Sequence, residues 1–253
     1  MGFIATPVSH LAEQEIFFET VLPFGCLEGR DHYGCKKYSE HVLVYHSDLE
    51  ITREWTDEQK VELQHNLMKY PNLLAMSFHM VTCFENYYLK DGVAFGIGIP
   101  MTVVKMLKNS KENCTWLKNL APKLDIMLEN NNDLGTEAYH TVTQPEFINQ
   151  IIKENNIYFL YDHAHALISS FNQKRNFNEY FKSLPLDKVM QVHFSEPTFI
   201  DGLAVDAHNL PSAKQFEFCI EHIRNSIRFY TIEFYQSLSG LKTGLILLED
   251  KLK

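Results

Sequence analysis

Short apolar runs bounded by polar turns recur along the chain and predict eight β-strands. Most of these runs are continuously apolar instead of alternating, which is typical of strands buried on both faces of a parallel sheet. The predicted strands begin near residue 2 (GFIATPV) and near residue 24 (FGCLEG), and continue at 41–46, 73–79, 124–130, 157–162, 189–194 and 229–235. Segments with helical patterning lie between them, most clearly at 56–70, 144–156 and 212–226.

A strand followed by a helix, repeated eight times, predicts an α/β protein built as a single closed (β/α)8 TIM barrel. The chain has 253 residues, which suits this fold because such barrels typically need about 250 residues. No linker rich in Pro, Gly or Ser and no short repeat divides the sequence. We therefore expect one barrel domain over residues 1–253.

The composition restricts the class of protein. The formal net charge is −9, from 23 Lys and Arg against 32 Asp and Glu. This charge repels phosphate backbones and no basic stripe offsets it, so we expect no nucleic-acid partner. The five cysteines are scattered without a C-x-x-C motif, which predicts reduced thiols in a cytoplasmic protein. No segment resembles a signal peptide or a membrane span, so we expect no membrane association.

Histidines and carboxylates fall at the ends of six consecutive predicted strands and in the loop at 201–210. Because a barrel builds its active site at the C-terminal ends of its strands, these side chains are expected to converge. Several buried carboxylates cannot ionise side by side without cations, so the pattern predicts divalent metal ions. The candidate ligands are His46, His79, Glu129, Asp162, His165, His193, Asp206, His208 and Glu233. Nine donors suit two or three ions, and a single ion is the alternative if some of the nine only orient the ligands. A nitrogen and oxygen set without thiolate suits iron, zinc or manganese.

Three further polar residues are candidates for substrate binding. Asn130 ends its strand directly after Glu129, and Glu28 follows the second strand, where it could line the barrel mouth or lie in a solvated loop. His163 neighbours Asp162 and should point to the opposite face, which favours the outer wall or a supporting role. The GIGIP stretch at 96–100 is interpreted as a turn before a helix.

The second half of the chain resembles a known family. The segments FNEYFKSLPLDKVMQVHFSEP and DGLAVDAHNLPSAKQFEF, together with LEN at 128–130 and IATPVSH near the N-terminus, are similar to the multinuclear non-heme iron-dependent oxidases, long known as DUF692 proteins. The resemblance implies a barrel with two or three irons on the candidate ligands other than His165. At His165 the family commonly has asparagine, and the D-x-x-H-A pattern is more similar to AP endonucleases with a trinuclear zinc centre.

The resemblance implies that iron and O2 oxidise a cysteine or another residue of a ribosomally made peptide, which a separate partner protein presents. A nuclease would need basic loops at the mouth, but those after Glu129 and His193 contain no Lys or Arg. Their acidic and amide side chains favour a neutral or basic peptide.

Two further alternatives remain. A sugar isomerase or epimerase of the xylose-isomerase-like barrels needs only four of the candidate ligands, namely Glu129, Asp162, His193 and Glu233. That interpretation leaves His46, His79, Asp206 and His208 without a role. A non-catalytic metal carrier is the other alternative.

Overall fold

Twelve strands and eight α-helices make up the regular structure of the described part of the chain. The computed structural model describes residues 2–223 and 227–253. Within them the strands are β1 (Phe3–Pro7), β2 (Gly25–Arg30), β3 (Val42–Glu50), β4 (Ala75–His79), β5 (Phe84–Lys90), β6 (Val93–Pro100), β7 (Asp125–Glu129), β8 (Tyr158–Asp162), β9 (Val189–Phe194), β10 (Glu196–Ile200), β11 (Leu203–Asn209) and β12 (Phe229–Ile232). The helices are α1 (Phe17–Val21), α2 (Asp57–Lys69), α3 (Val103–Leu120), α4 (Pro145–Asn155), α5 (His163–Asn172), α6 (Phe177–Ser183), α7 (Ala213–His222) and α8 (Leu238–Leu252). Short 3-10 helices cover His10–Glu13, Leu22–Phe24, Lys36–His41, Glu137–Tyr139 and Leu186–Lys188.

Eight of the strands close into a parallel barrel in the order β1-β12-β9-β8-β7-β4-β3-β2. These eight correspond to the eight predicted apolar runs, so the predicted (β/α)8 barrel is confirmed. The parallel register aligns the ends of neighbouring strands, as in the pairing of Asp162 on β8 with His193 on β9. The C-terminal ends therefore present their side chains at one level.

Alternation along each strand separates the site from the barrel floor. Val44, Met127, Leu160 and Phe229 belong to one buried apolar cluster. Two residues further along the same strands, β3, β7 and β8 carry His46, Glu129 and Asp162. Because side chains two residues apart point to the same face, the apolar layer lies directly beneath the polar one.

The other face of the strands packs against the helices. Leu128 and Phe159 on the barrel wall and Ile148 and Ile151 on α4 belong to the main buried core. The predicted helices at 56–70 and 144–156 are α2 and α4. The one predicted at 212–226 is α7, which ends at His222, and residues 224–226 lie outside the described residues.

The sequence interpretation missed two β-hairpins at the C-terminal end of the barrel. β5 pairs with β6 after barrel strand β4, and β10 pairs with β11 after β9. Residues 96–100, interpreted as a turn, lie instead in β6, so that prediction was wrong. Both hairpin tips are Asp-Gly pairs with positive φ, 51° and 79° at Asp91 and Gly92 and 50° and 82° at Asp201 and Gly202. Asp-Gly between apolar runs is a strong hairpin signal and could have revealed both.

All five cysteines are free and buried, which agrees with the prediction of reduced thiols. Among the described residues, no helix is both long and apolar enough to cross a bilayer.

Candidate metal centre

Two groups of possible metal ligands meet at Glu129. Donor atoms of His46, His79 and Glu129 lie within 4.8 Å of one another, and so do donor atoms of Glu129, Asp162, His193 and Glu233. Apart from His79, which is partly exposed, these side chains are buried. The structure therefore brings together the residues that the sequence placed at separate strand ends.

The two carboxylate oxygens of Glu129 face different groups. Its Oε2 lies 2.9 Å from Nδ1 of His79 and 3.5 Å from Nε2 of His46. Its Oε1 lies 3.2 Å from Nδ1 of His193, which is 3.4 Å from Oε1 of Glu233. A carboxylate with one oxygen towards each group is suited to bridge two ions.

The remaining three candidates lie on the solvent side of these groups. Oδ2 of Asp206 is 3.2 Å from Nε2 of His165 and 3.3 Å from Nε2 of His208. Nε2 of His208 is in turn 3.8 Å from Oε2 of Glu233. Asp206 and His208 come from β11, so the hairpin that the sequence did not predict carries this outer part of the cluster.

Local structure fixes the orientation of His165. The Asp162 side chain caps the N-terminus of α5 by accepting a hydrogen bond from the backbone N–H of His165, at 2.7 Å. The ring of His165 then lies with Nδ1 2.8 Å from the carbonyl oxygen of Asn130. This leaves Nε2 facing Asp206.

The cluster leaves buried polar atoms unpaired, which is the structural sign that it fits metal ions. Among the described residues, the buried Oδ2 of Asp162 has no hydrogen-bond partner, and the buried Nδ1 of His193 has only the carboxylate oxygens of Glu129 and Glu233 near it, without hydrogen-bond geometry. Buried polar atoms are normally satisfied, and a cation would satisfy both of these. The donor set of imidazole nitrogens and carboxylate oxygens is one that iron, zinc and manganese accept.

The pKa values of Glu129 and Asp162 are shifted in opposite directions by their surroundings. Burial alone raises the pKa of Glu129, but the surrounding imidazoles, with hydrogen bonds from His193 and His79, hold it well below its usual range. Burial raises the pKa of Asp162 well above its usual range and, although His165 opposes the shift, Glu233 and Glu129 reinforce it. Burial first and the neighbouring carboxylates second thus favour the protonated form of Asp162 in the absence of a cation.

The imidazole of His46 is held in the form that binds metals. Burial, with the neighbouring charge of Arg30, holds the pKa of His46 well below its usual range. Its Nδ1 lies 2.6 Å from Oγ of Ser77, which leaves Nε2 towards Glu129. A neutral ring with one nitrogen occupied is the usual state of a histidine ligand.

Glu28 requires a correction. It lies inside β2, fully buried, and does not line the cavity, so it is neither in a solvated loop nor placed to contact substrate. Its Oε2 is 3.0 Å from Nε2 of His193 and also accepts hydrogen bonds from Gln191 and Thr231. Burial opposes ionisation, but Arg30 and His193 lower the pKa of Glu28 to about 2.

Arg30 was missed by the sequence interpretation. Its guanidinium forms ion pairs with both Glu28 and Glu233. The sequence did contain a signal for Arg30, because residues two positions apart in a strand lie on the same face and Arg30 follows Glu28 by two positions. Arg30 supplies a fixed positive charge beside the anionic cluster, because the strand register places it level with His46.

His163 and Asn130 are also not placed to bind substrate. His163 lies behind the barrel wall, with Nδ1 3.0 Å from the Tyr161 hydroxyl and 3.5 Å from Sγ of Cys219, and burial lowers its pKa to about 4. Its outer-wall placement was predicted correctly. The buried Asn130 amide binds the backbone N–H and carbonyl of Asp162, at 2.8 and 2.9 Å, and so holds the end of β8.

A cavity of about 700 Å³ opens above the cluster at the barrel mouth. The candidate ligands that line it are His46, His79, Glu129, His165, Asp206, His208 and Glu233. Of the amide-rich loop after β7, Asn131 lines the cavity, whereas Asp133 is buried and bonded to Gln173. Asp31 and Asp48 supply further carboxylates to its wall.

Comparisons with known proteins agree with this geometry. The chain is similar to 3-keto-D-glucoside 4-epimerase YcjR from E. coli, with a TM-score of 0.62 and 13% identity over 100% of this chain and 98% of that one. It is also similar to a xylose isomerase-like TIM barrel protein from Mycobacterium smegmatis solved with magnesium, with a TM-score of 0.55 and 11% identity over 100% and 98% of the two chains. Identities this low show the fold alone, which is the xylose-isomerase-like barrel.

Sequence comparison identifies the family. No curated protein sequence matches the chain significantly. A family model described as the RiPP precursor modification enzyme MbnB/TglH/ChrH matches residues 52–229, which is well over half of the chain and includes seven of the nine candidate ligands, all except His46 and Glu233. The predicted resemblance is thereby confirmed, and the chain belongs to the MbnB/TglH/ChrH family of RiPP precursor modification enzymes.

Proposed function

We propose that this protein is a multinuclear non-heme iron-dependent oxidase that uses O2 to modify a residue, expected to be cysteine, of a ribosomally synthesised peptide. The family supports a peptide substrate. The observation that carries the proposal is that Glu129 joins two groups of ligands beneath one open cavity. Two or three iron ions bound there would pass electrons from the peptide residue to O2.

Each part of the cluster has a distinct role in this proposal. His46, His79 and Glu129 would hold one ion. Glu129, with Asp162, His193 and Glu233, would hold a second, and the outer side chains of His165, Asp206 and His208 would complete a third site or support the other two. Zinc or manganese would fit the same donors, because nitrogen and oxygen ligands alone do not separate these metals.

Neighbouring residues keep the ligands in place before the peptide enters. The hydroxyl of Tyr235 donates a hydrogen bond to Oε1 of Glu233 at 3.1 Å, and Arg30 pairs with the same carboxylate. Ser77 and Glu28 occupy the outer ring nitrogens of His46 and His193. Ligands fixed in this way lose little freedom when an ion or substrate binds.

The proposal includes a neutral or basic peptide segment as substrate. The cavity wall carries the carboxylates of Asp31 and Asp48, whereas Arg30, which also lines the cavity, is already paired with Glu28 and Glu233. Opposite charges attract a basic segment and repel a polyanion. We further propose that a separate protein presents the peptide and that the reaction takes place in the cytoplasm, where the five buried cysteines would stay reduced.

A sugar isomerase or epimerase is the second candidate, because one ligand group consists of Glu129, Asp162, His193 and Glu233. Those four side chains are the set that a one-metal isomerase needs. The position of His46 and His79 within reach of Glu129 favours the multinuclear oxidase. A hydrolase similar to AP endonucleases would use the same barrel with zinc, and its test is included below.

The experiment compares the possible substrates directly. The protein is loaded with ferrous iron without oxygen, then exposed to O2 with either a cysteine-bearing peptide encoded beside its gene or a DNA duplex with an abasic site. We expect O2 uptake and a change of peptide mass that requires O2, and neither in a Glu129→Gln variant. Cleavage of the duplex without an oxygen-dependent peptide product would overturn the proposal.

A further inference from the structure

One side of the β5–β6 hairpin forms an apolar wall of the cavity. Tyr87 and Leu89, two residues apart on β5, both line the cavity, and Val81 lines the same cavity. Tyr88 points to the opposite side, where its ring stacks on Phe95 at a centroid distance of 5.4 Å. The Leu89 residue is 62% exposed. An apolar side chain left this open beside a reactive centre is a surface that a ligand can cover.

The base of this wall is held rigidly to the barrel. Arg53 donates hydrogen bonds to the carbonyl oxygens of Phe84 and Glu85, and its guanidinium lies 5.1 Å from the centre of the Tyr87 ring. Arg53 also donates a hydrogen bond to Oε1 of Glu50. Oε2 of Glu50 accepts a hydrogen bond from the backbone N–H of Val81 at 2.9 Å. A surface fixed in advance binds a ligand without a further ordering cost.

The residues around the apolar wall restrict the class of ligand that can bind there. Asp31 and Asp48 line the same cavity, so a ligand there meets an apolar surface and carboxylates together. A sugar, which is covered with hydroxyl groups, would leave Leu89 hydrated. A peptide with an apolar side chain and basic neighbours would cover Leu89 and meet the carboxylates.

We infer that Tyr87, Leu89 and Val81 bind an apolar side chain of the substrate peptide next to the residue that reacts. This inference rests on the proposed function, because it takes a peptide as the occupant. According to this inference, the cavity side of the β5–β6 hairpin selects the peptide, although this hairpin is not part of the barrel.

The test measures binding without turnover. Two fluorescein-labelled peptides are compared: Gly-Lys-Leu-Cys-Leu-Lys-Gly, and the same peptide with serine in place of both leucines. Each is titrated with the iron-loaded protein in the absence of O2, and fluorescence anisotropy gives each Kd. We expect the leucine peptide to bind about tenfold more tightly, as burial of one apolar side chain allows. Leu89→Ser and Tyr87→Ala should remove most of this preference. Tyr88→Ala is the matched control, because this exposed neighbour on the same strand faces away, and it should keep the preference.

Several outcomes would overturn the inference. These are equal binding of the two peptides, no binding of either, an unchanged preference in Leu89→Ser, or an equal loss in Tyr88→Ala. The mass of each peptide after O2 is admitted is recorded separately. Preferential binding without any oxygen-dependent product would contradict the proposed function but leave the binding surface in place, so the two failures are distinguishable.

Discussion

Oε2 of Glu28 lies 3.0 Å from Nε2 of His193, and this contact decides which ring nitrogen faces the metal centre. With Nε2 occupied, Nδ1 lies 3.2 Å from Glu129 and 3.4 Å from Glu233. A carboxylate behind a histidine ligand fixes its tautomer and its orientation. Strand β2 thus shapes the centre although it contributes none of the candidate ligands.

We predict that Glu28→Gln weakens metal binding about 10- to 100-fold, as removal of such a supporting carboxylate typically does. The metal affinity would be measured by competition with a chelator, and circular dichroism would show whether the barrel is still folded. Thr231→Val is the control, because it removes one hydrogen bond to Glu28 and keeps the carboxylate. An affinity unchanged in Glu28→Gln would show that His193 is held by other contacts.

The same carboxylate predicts a pH effect on the metal-free protein. The pKa of Glu28 falls from 4.5 to about 2 on folding, because Arg30 and His193 outweigh the effect of burial. A pKa lowered on folding stabilises the protein above pH 4.5, and that contribution is lost as the pH falls towards 2. Denaturant unfolding should show wild type losing stability relative to Glu28→Gln over this range. Parallel pH profiles for the two proteins would contradict the prediction.

Metal content is the next prediction. Because two ligand groups share Glu129, we expect protein purified without oxygen to hold at least two metal ions per chain, mostly iron. Elemental analysis of the purified protein provides the measurement. A single tightly held ion would favour the isomerase, and zinc in every site would favour the hydrolase.

The shared position of Glu129 predicts that its removal affects both groups. Glu129→Ala should lower metal content at both sites, whereas His79→Ala should affect only the site that it shares with His46. Glu62→Ala on the exposed face of α2 is the control for loss of a carboxylate and should leave the metal content unchanged. If Glu129→Ala and His79→Ala lose the same amount of metal, Glu129 does not bridge two sites.

We expect substitution of Asp206 or His208 to remove less bound metal than substitution of Glu129. Asp206 and His208 lie on β11 outside the barrel strands, and their side chains are 14% and 35% exposed. Changing either to Ala should lower metal stoichiometry and leave the melting temperature of the metal-free barrel nearly unchanged, because surface positions contribute little to stability. Full metal content and activity in both variants would show that neither residue is a ligand.

The sequence by itself determined the barrel and the candidate ligands. Continuous apolar runs can be buried only in a sheet covered on both faces, and polar residues at the run ends must then meet at one end of the barrel. His46, Glu129 and Asp162 were found in this way because the end of an apolar run can be recognised from neighbouring residues alone.

Only the tertiary structure decided what lies beneath and around those ligands. Glu28 and Arg30 differ from solvated residues only through their burial against His193 and Glu233, which are more than 160 positions away in the chain. Such contacts leave no local pattern, because register and barrel closure create them. The turn of each hairpin was readable as Asp-Gly, but its position over the mouth depends on long-range contacts such as those of Arg53 with Phe84 and Glu85. The apolar runs therefore specify which residues lie at the strand ends, and packing specifies which side chains meet there.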